Sequence, residues 1–175
     1  MALMMRRCGQ NDIAALRTLS LDTFTAAFGH LNTPENMAAY CAQAFGEDAL
    51  HRQLETLGTS FWFLEKDGVL AGYMKLNMGS AQTDFHGENA LEIERIYVAA
   101  GFMGHGLGGY MLGQAARLAR EAGKDFLWLG VWEHNTRAIR FYESHGFRPA
   151  GTHAFLLGDD AQTDIIMRLD LPQTV

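Results

Sequence analysis

The chain has 175 residues, 48% of them hydrophobic and 19% charged, with 20 acidic residues against 14 Lys and Arg. That balance suits one domain with a buried core and excludes a disordered chain, and no run of 18 apolar residues marks a membrane span. The net charge of −6 argues against a nucleic-acid partner and leaves room for a cationic one; Cys8 and Cys41, without CxxC spacing, exclude a disulfide scaffold and a zinc ribbon.

At the start, Met1-Ala2-Leu3-Met4-Met5-Arg6-Arg7 carries its basic pair after the apolar run, the wrong order for a secretory signal, so a cytoplasmic protein is expected. Residues 2–8 suit a short first strand. Asn11 or Asp12 then caps a helix with Ile13, Leu16, Leu19, Phe24 and Phe28 at near-helical spacing. A second helix starts at Thr33 as N-cap with Pro34 and Glu35 in its first turn, and stops near Gly46. A third runs from Glu47 or Asp48 to Leu57.

The period then changes to two. Residues 60–65 and 69–76 read as a hairpin around Lys66-Asp67-Gly68, followed by a long polar connection over 77–90. Residues 91–98 form a strand, 107–122 a helix with Leu112, Ala115, Ala116 and Ala119 on one face, and 126–131 an apolar strand covered on both sides. Asn135 caps a short helix ended by Gly146, and residues 148–156 and 163–169 form a last strand pair. No linker, repeat or charge block interrupts this order, so residues 1–175 are expected to form one mixed α/β domain.

The glycines converge on Met103-Gly104-His105-Gly106-Leu107-Gly108-Gly109, between a strand and a helix. Glycines there permit positive φ and uncover backbone N–H groups, and the helix N-terminus adds its dipole, which together suit a phosphate or pyrophosphate. A glycine pattern alone equally suits a tightly packed turn. Gly104, Gly106 and Gly109 also fit GxGxxG, but residues 99–103 separate them from the strand, and only 42 residues follow Glu133, too few for a second mononucleotide half. No Gly-Lys-Ser/Thr follows to make a Walker loop.

The loop resembles that of the GNAT superfamily of acetyl-CoA-dependent N-acetyltransferases, Arg/Gln-x-x-Gly-x-Gly/Ala, with Gly106 and Gly108 at the glycine positions and Met103, a departure, at the Arg/Gln position. The strand Glu92-Ile93-Glu94-Arg95-Ile96-Tyr97-Val98 and the segment Asn135-x6-Tyr142-x3-Gly146-Phe147 extend the resemblance over roughly residues 60 to 170. Trp128-Leu129-Gly130-Val131-Trp132-Glu133, Ala138-Ile139-Arg140-Phe141-Tyr142 and Gly158-Asp159-Asp160-Ala161-Gln162-Thr163-Asp164 are similar to bacterial PaiA-type spermidine/polyamine N-acetyltransferases.

The resemblance implies a mostly antiparallel sheet flanked by helices, with a splayed strand pair holding acetyl-CoA as co-substrate. It implies backbone contacts to acetyl-CoA from Ile96, Tyr97 and Val98 and from the loop Met103, Gly104, His105, Gly106, Leu107, Gly108 and Gly109, with Asn135 reaching the pantetheine or acceptor side. Tyr142 is the implied partner of the departing thiolate. No metal is implied, the amine acceptor is a small molecule, and a homodimer is a common assembly of the superfamily.

Amine acetylation needs a neutral acceptor, and an alkylammonium with a pKa of about 10.4 is under about a thousandth neutral at pH 7. In a regular strand Glu92 and Glu94 share one face with Ile96 and Val98, and Leu91, Ile93, Arg95 and Tyr97 the other. Either glutamate can take the amine proton through water or hold the cation. Asp84, Glu88, Asp159, Asp160 and Asp164 are further acids that a polyamine could meet, while His86 between Asp84 and Glu88 is weak as a metal motif. The resemblance implies direct attack in a ternary complex without an acetyl-enzyme intermediate, and neither cysteine sits in a nucleophile motif. Acceptors other than a polyamine (an amino acid, an antibiotic or a protein N-terminus) stay open, as does a non-catalytic acyl-CoA sensor.

Overall fold

A computed structural model describes residues 1–172; the last three residues of the expected 1–175 domain lie outside it. Strand β1 (Leu3–Arg7) leads through a 3-10 turn into α1 (Ile13–Phe28), α2 (Pro34–Phe45) and α3 (Glu47–Glu55). Thr33 caps α2 as its sequence implies, accepting a hydrogen bond from the Asn36 N–H at 3.1 Å. The hairpin β2 (Thr59–Lys66) and β3 (Val69–Met78) follows, then β4 (Ala90–Val98), α4 (Leu107–Glu121), β5 (Phe126–Trp132), α5 (Thr136–Ser144), β6 (Arg148–Leu157) and β7 (Asp160–Asp170).

The seven strands form one sheet in the order β1-β2-β3-β4-β5-β7-β6. Every neighbouring pair is antiparallel except β4 and β5, which are parallel and joined through α4. That parallel pair is short. Ala90, Leu91 and Glu92 pair with Phe126, Leu127 and Trp128, and beyond them the two strands part. Residues 93–98 of β4 therefore keep β3 on one edge and no strand on the other.

One sheet face packs Leu64, Met74, Leu76, Leu91, Ile93, Leu127, Leu129 and Met167 against Leu107, Met111, Leu112, Ala115 and Ala119 of α4. The opposite face packs Phe61, Phe63 and Tyr73 against Ile13, Leu16 and Leu19 of α1 and Leu50 of α3. A further cluster of Phe24, Met37, Phe45 and Leu157 ties the β6–β7 end to α1 and α2. A buried Leu-sized side chain contributes roughly 1.5–3 kcal/mol over exposure, so these layers hold the fork's two arms in place.

The expected alternation of β4 fails at one residue. Arg95 pairs with Lys75 and Ile93 with Leu76, leaving Glu94 as an extra residue in a β-bulge. Past the bulge the side chains change face. Leu91, Ile93, Ile96 and Val98 all join the cluster facing α4, while Tyr97 packs with the α1–α3 side. Glu92 and Glu94 thus lie apart from Ile96 and Val98, not beside them as a regular strand would place them.

Candidate active site

The parting of β4 and β5 opens a cleft of about 1590 Å³ that runs through the sheet to both layers of helices. One end is the glycine loop. Gly104 (φ +81°) and Gly106 (φ +74°) adopt the left-handed conformation, and the space where a Cβ would stand is open at both. The first i→i−4 bond of α4 runs from the Tyr110 N–H to the Gly106 carbonyl at 3.1 Å. The N–H groups of Leu107, Gly108 and Gly109 precede it and have no acceptor within the helix, so they offer donors at a positive helix end.

The loop's residues divide by role. Met103, Gly104, Gly106, Leu107, Gly108 and Gly109 line the cleft, whereas the His105 ring turns to the Phe102 carbonyl at 3.3 Å. Gly108 and Gly109 also let α5 approach. A Cβ on Gly108 would stand 3.0 Å from the Phe141 ring, and one on Gly109 would stand 2.8 Å from His145 Nε2. These two glycines therefore line the cleft and also permit the tight packing that the pattern suits.

Along the fork, Ile96, Tyr97 and Val98 line the cleft with the unpaired edge of β4, and Tyr142 of α5 faces it from the other arm. Burial pushes the Tyr142 hydroxyl up to about 12, so it remains a neutral donor at any physiological pH. Asn135 lines the cleft too, but its Oδ1 is engaged as the α5 cap, accepting from the Ala138 N–H at 3.2 Å.

The glutamates sit on the α1–α3 side of the sheet in a network of opposite charges. Glu94 meets Lys75 Nζ at 2.6 Å and Arg95 Nε at 3.3 Å, and accepts from Asn77 Nδ2 at 3.3 Å. Burial alone raises its carboxyl; Arg95 and Lys75 overcome that and hold it below the ordinary range. Glu92 is buried and accepts from the Thr83 N–H at 2.8 Å, from Asn77 Nδ2 at 2.9 Å and from the Thr83 hydroxyl. Burial still pushes its carboxyl up despite those donors. Glu92 anchors the loop before β4, and Gln82 in that loop accepts the Trp128 indole N–H at 2.7 Å.

Of the seven acids read from the sequence, Asp84, Glu92, Glu94 and Asp164 line the cleft, while Glu88, Asp159 and Asp160 do not. Asp22 of α1 joins them. Arg95, already paired with Glu94, and Arg137 are the Lys or Arg side chains lining the cleft among the described residues. Phe24, Phe28, Tyr40, Phe45 and Phe155 add an aromatic wall. His86, rather than joining a metal set, pairs with Asp84 at 3.1 Å and packs its ring 4.3 Å from that of Trp128.

Sequence reasoning did not single out Asp22, Arg137 or His153. His153 lies on β6 opposite Asp164 on β7, with Nε2 3.5 Å from the carboxylate, and both line the cleft. Gly130 is the local signal for this pair. A glycine inside an apolar strand marks a close approach, and a Cβ there would stand 3.1 Å from Asp164 Oδ2 and 3.2 Å from His153 Cε1. Burial pushes the Asp164 carboxyl up, and His153 pulls it back.

A parallel strand pair parts beside a glycine loop that opens a helix, and comparison with known proteins shows the family. Residues 14–147 match the acetyltransferase (GNAT) family, and the chain belongs to it. An uncharacterised N-acetyltransferase from the pepI 3' region of Lactobacillus delbrueckii subsp. lactis is 42% identical over 159 residues, covering 91% of this chain and 92% of that one. Streptothricin acetyltransferase of Streptomyces lavendulae is 35% identical over 113 residues, 65% of this chain and 53% of its own length. The crystal structure of PaiA N-acetyltransferase from Thermoplasma acidophilum in complex with coenzyme A shares the fold, with a TM-score of 0.78 at 17% identity over 97% of this chain and 99% of that one. The protein is an acetyl-CoA-dependent N-acetyltransferase.

Proposed function

We propose that the acceptor is a cationic primary amine, a polyamine such as spermidine or spermine, which attacks the thioester directly in a ternary complex. The observation that carries this reading is the lining of the cleft, where Asp22, Asp84, Glu92, Glu94 and Asp164 outnumber Arg95 and Arg137, Arg95 being already paired with Glu94. Such an excess of carboxylates attracts a polycation and holds its uncharged methylene segments against the aromatic wall.

Acetyl-CoA supplies an activated carbonyl carbon. The α4 N-terminus and the N–H groups of the glycine loop hold its pyrophosphate, and the free edge of β4 at residues 96–98 binds the pantetheine arm and polarises the carbonyl. Glu92 and Glu94 add negative field for the cation, and each is already engaged, Glu92 by Thr83 and Asn77 and Glu94 by Lys75, Arg95 and Asn77. Tyr142 donates a hydrogen bond to the sulfur as negative charge develops there. A phenol near 12 is a far weaker acid than a thiol near about 8.5, so Tyr142 passes its proton on only as it takes one from the attacking nitrogen.

The test is thiol release from acetyl-CoA with spermidine, spermine, amino acids and aminated antibiotics, in wild type and Tyr142→Phe. The expected result is turnover with the polyamines and a kcat about 10²-fold lower in the variant, at unchanged acetyl-CoA affinity. Turnover with another amine alone removes the polyamine assignment. Acetyl-CoA binding without turnover on any amine makes the chain a sensor.

A further inference from the structure

We propose that Arg137 of α5 binds the pyrophosphate of acetyl-CoA across the mouth of the cleft, supplying the side-chain contact that Met103 cannot. This rests on the reading of the glycine loop as the pyrophosphate cradle and adds a residue from a different helix to it.

The loop offers the cofactor no side-chain charge of its own. Met103, at the position of the Arg or Gln in the loop pattern, is apolar and half exposed, Leu107 is buried, and the His105 ring turns back to the Phe102 carbonyl. Among the described residues the Lys and Arg side chains lining the cleft are Arg95 and Arg137. Arg95 is held by Glu94 and by Gln53, at 3.3 and 3.2 Å. The Arg137 guanidinium is exposed and makes no hydrogen bond or ion pair among the described residues.

The packing of α5 on α4 carries Arg137 toward the loop. Phe141 lies against Gly108 and His145 against Gly109, so close that a Cβ on either glycine would stand 3.0 or 2.8 Å from the ring. Residues 137, 141 and 145 are four apart and share one face of the helix. The step from His145 to Phe141 follows α4 back from Gly109 to Gly108, and the next step on that face continues toward Gly106. Four residues advance a helix by about 6 Å, and a helical side chain leans toward its own N-terminus, which directs Arg137 beyond Gly108. It lines the same cleft as Met103, Gly104 and Gly106.

Charge explains what the guanidinium lacks. Arg137 is the second residue of α5, in a first turn that contains no acidic residue. A cation there meets the positive end of its own helix, and the α4 N-terminus beside it presents another. A phosphate between the two helix ends neutralises all three. The planar guanidinium can donate to two phosphate oxygens at once, which the backbone N–H groups of a single loop complement and do not replace.

The experiment is titration calorimetry of CoA, dephospho-CoA and pantetheine with wild type, Arg137→Gln, Arg137→Lys and the double variant Met103→Arg, Arg137→Gln. Arg137→Gln is expected to weaken CoA and dephospho-CoA alike by about tenfold or more, and to leave pantetheine within about twofold. Arg137→Lys, which keeps the charge without the fork, falls between. The double variant is expected to regain at least about threefold, because Met103→Arg returns a guanidinium to the loop. Melting of Arg137→Gln within about 2 °C of wild type is expected of an exposed side chain that holds nothing in the fold. CoA affinity within about twofold of wild type overturns the assignment, as does an equal loss on pantetheine, a larger fall in melting temperature, or a double variant no tighter than Arg137→Gln. A loss seen with CoA and absent with dephospho-CoA puts Arg137 on the 3'-phosphate and overturns it too. Wild type that binds CoA no better than pantetheine overturns the loop reading and the assignment together; a preference for CoA that survives Arg137→Gln overturns the assignment alone.

Discussion

Replacing Glu94 by Gln removes the anion that stands between two buried cations. Lys75 and Arg95 both donate to Gln53 Oε1, at 3.0 and 3.2 Å, which places them as neighbours, and among the described residues Glu94 is the one carboxylate ion-paired with both. Burial, then the like charge of Arg95, already pushes the Lys75 ammonium below its ordinary range against the pull of Glu94. Removing one partner of a buried ion pair costs about 3–5 kcal/mol; the low end applies because Glu92 still attracts Lys75. For a domain of this size about 3 kcal/mol lowers Tm by about 6–12 °C at pH 7.

The sign of the pH dependence follows. Without Glu94, folded Lys75 releases its proton more readily than in the unfolded chain, so the unfolded state binds more protons and stability rises with pH. The Glu94→Gln deficit is therefore expected to narrow between about pH 7 and pH 9.5. Adding Lys75→Met removes the repulsion, so the double variant recovers at least half of the lost Tm, and Lys75→Met alone costs less than Glu94→Gln. Calorimetric melting of the four proteins at both pH values reads this out. A Glu94→Gln protein melting within about 2 °C of wild type, or a double variant less stable than that single one, refutes the reasoning.

Two further outcomes follow from the site. Gly106→Val forces a β-branched residue to φ +74°, a conformation costing about 1–3 kcal/mol, and is expected to weaken acetyl-CoA binding at least about tenfold by titration calorimetry; unchanged affinity would remove the loop from the cofactor site. Glu92, whose carboxyl is raised in the fold, contributes stability that is full below its unfolded pKa of about 4.3 and declines as pH rises through its folded value. The melting difference between wild type and Glu92→Gln is therefore expected to be larger near about pH 5 than near about pH 8, and a constant difference contradicts it.

The element order was legible because local chemistry sets it. Thr33 with Pro34, Asn135, and the periodicity of residues 112–119 each carry their own start signal or face, and the structure places α2, α5 and α4 accordingly. The bulge was not legible. No glycine or proline marks residue 94, and an extra residue in β4 exists only relative to its pairing with β3. His153 and Asp164 were equally hidden, since they meet Gly130 only because β7 inserts between β5 and β6. Gly130 itself was visible, but its meaning depends on what approaches it, and that is a property of the sheet.

The bulge also explains why the stretch Ala90–Val98 mixes three charged residues with the branched apolar ones. Paired without a bulge, the stretch would set Glu92 and Glu94 on the face of Ile96 and Val98, burying two carboxylates against the apolar face of α4. One extra residue at position 94 sorts it, sending Leu91, Ile93, Ile96 and Val98 to the α4 layer and Glu92 and Tyr97 to the α1–α3 layer. The glycine loop opens α4 at one mouth of the cleft, and the carboxylates line it beside α1. The donors of the α4 N-terminus and the carboxylates thus lie in different parts of one cleft, which opens where β4 and β5 part.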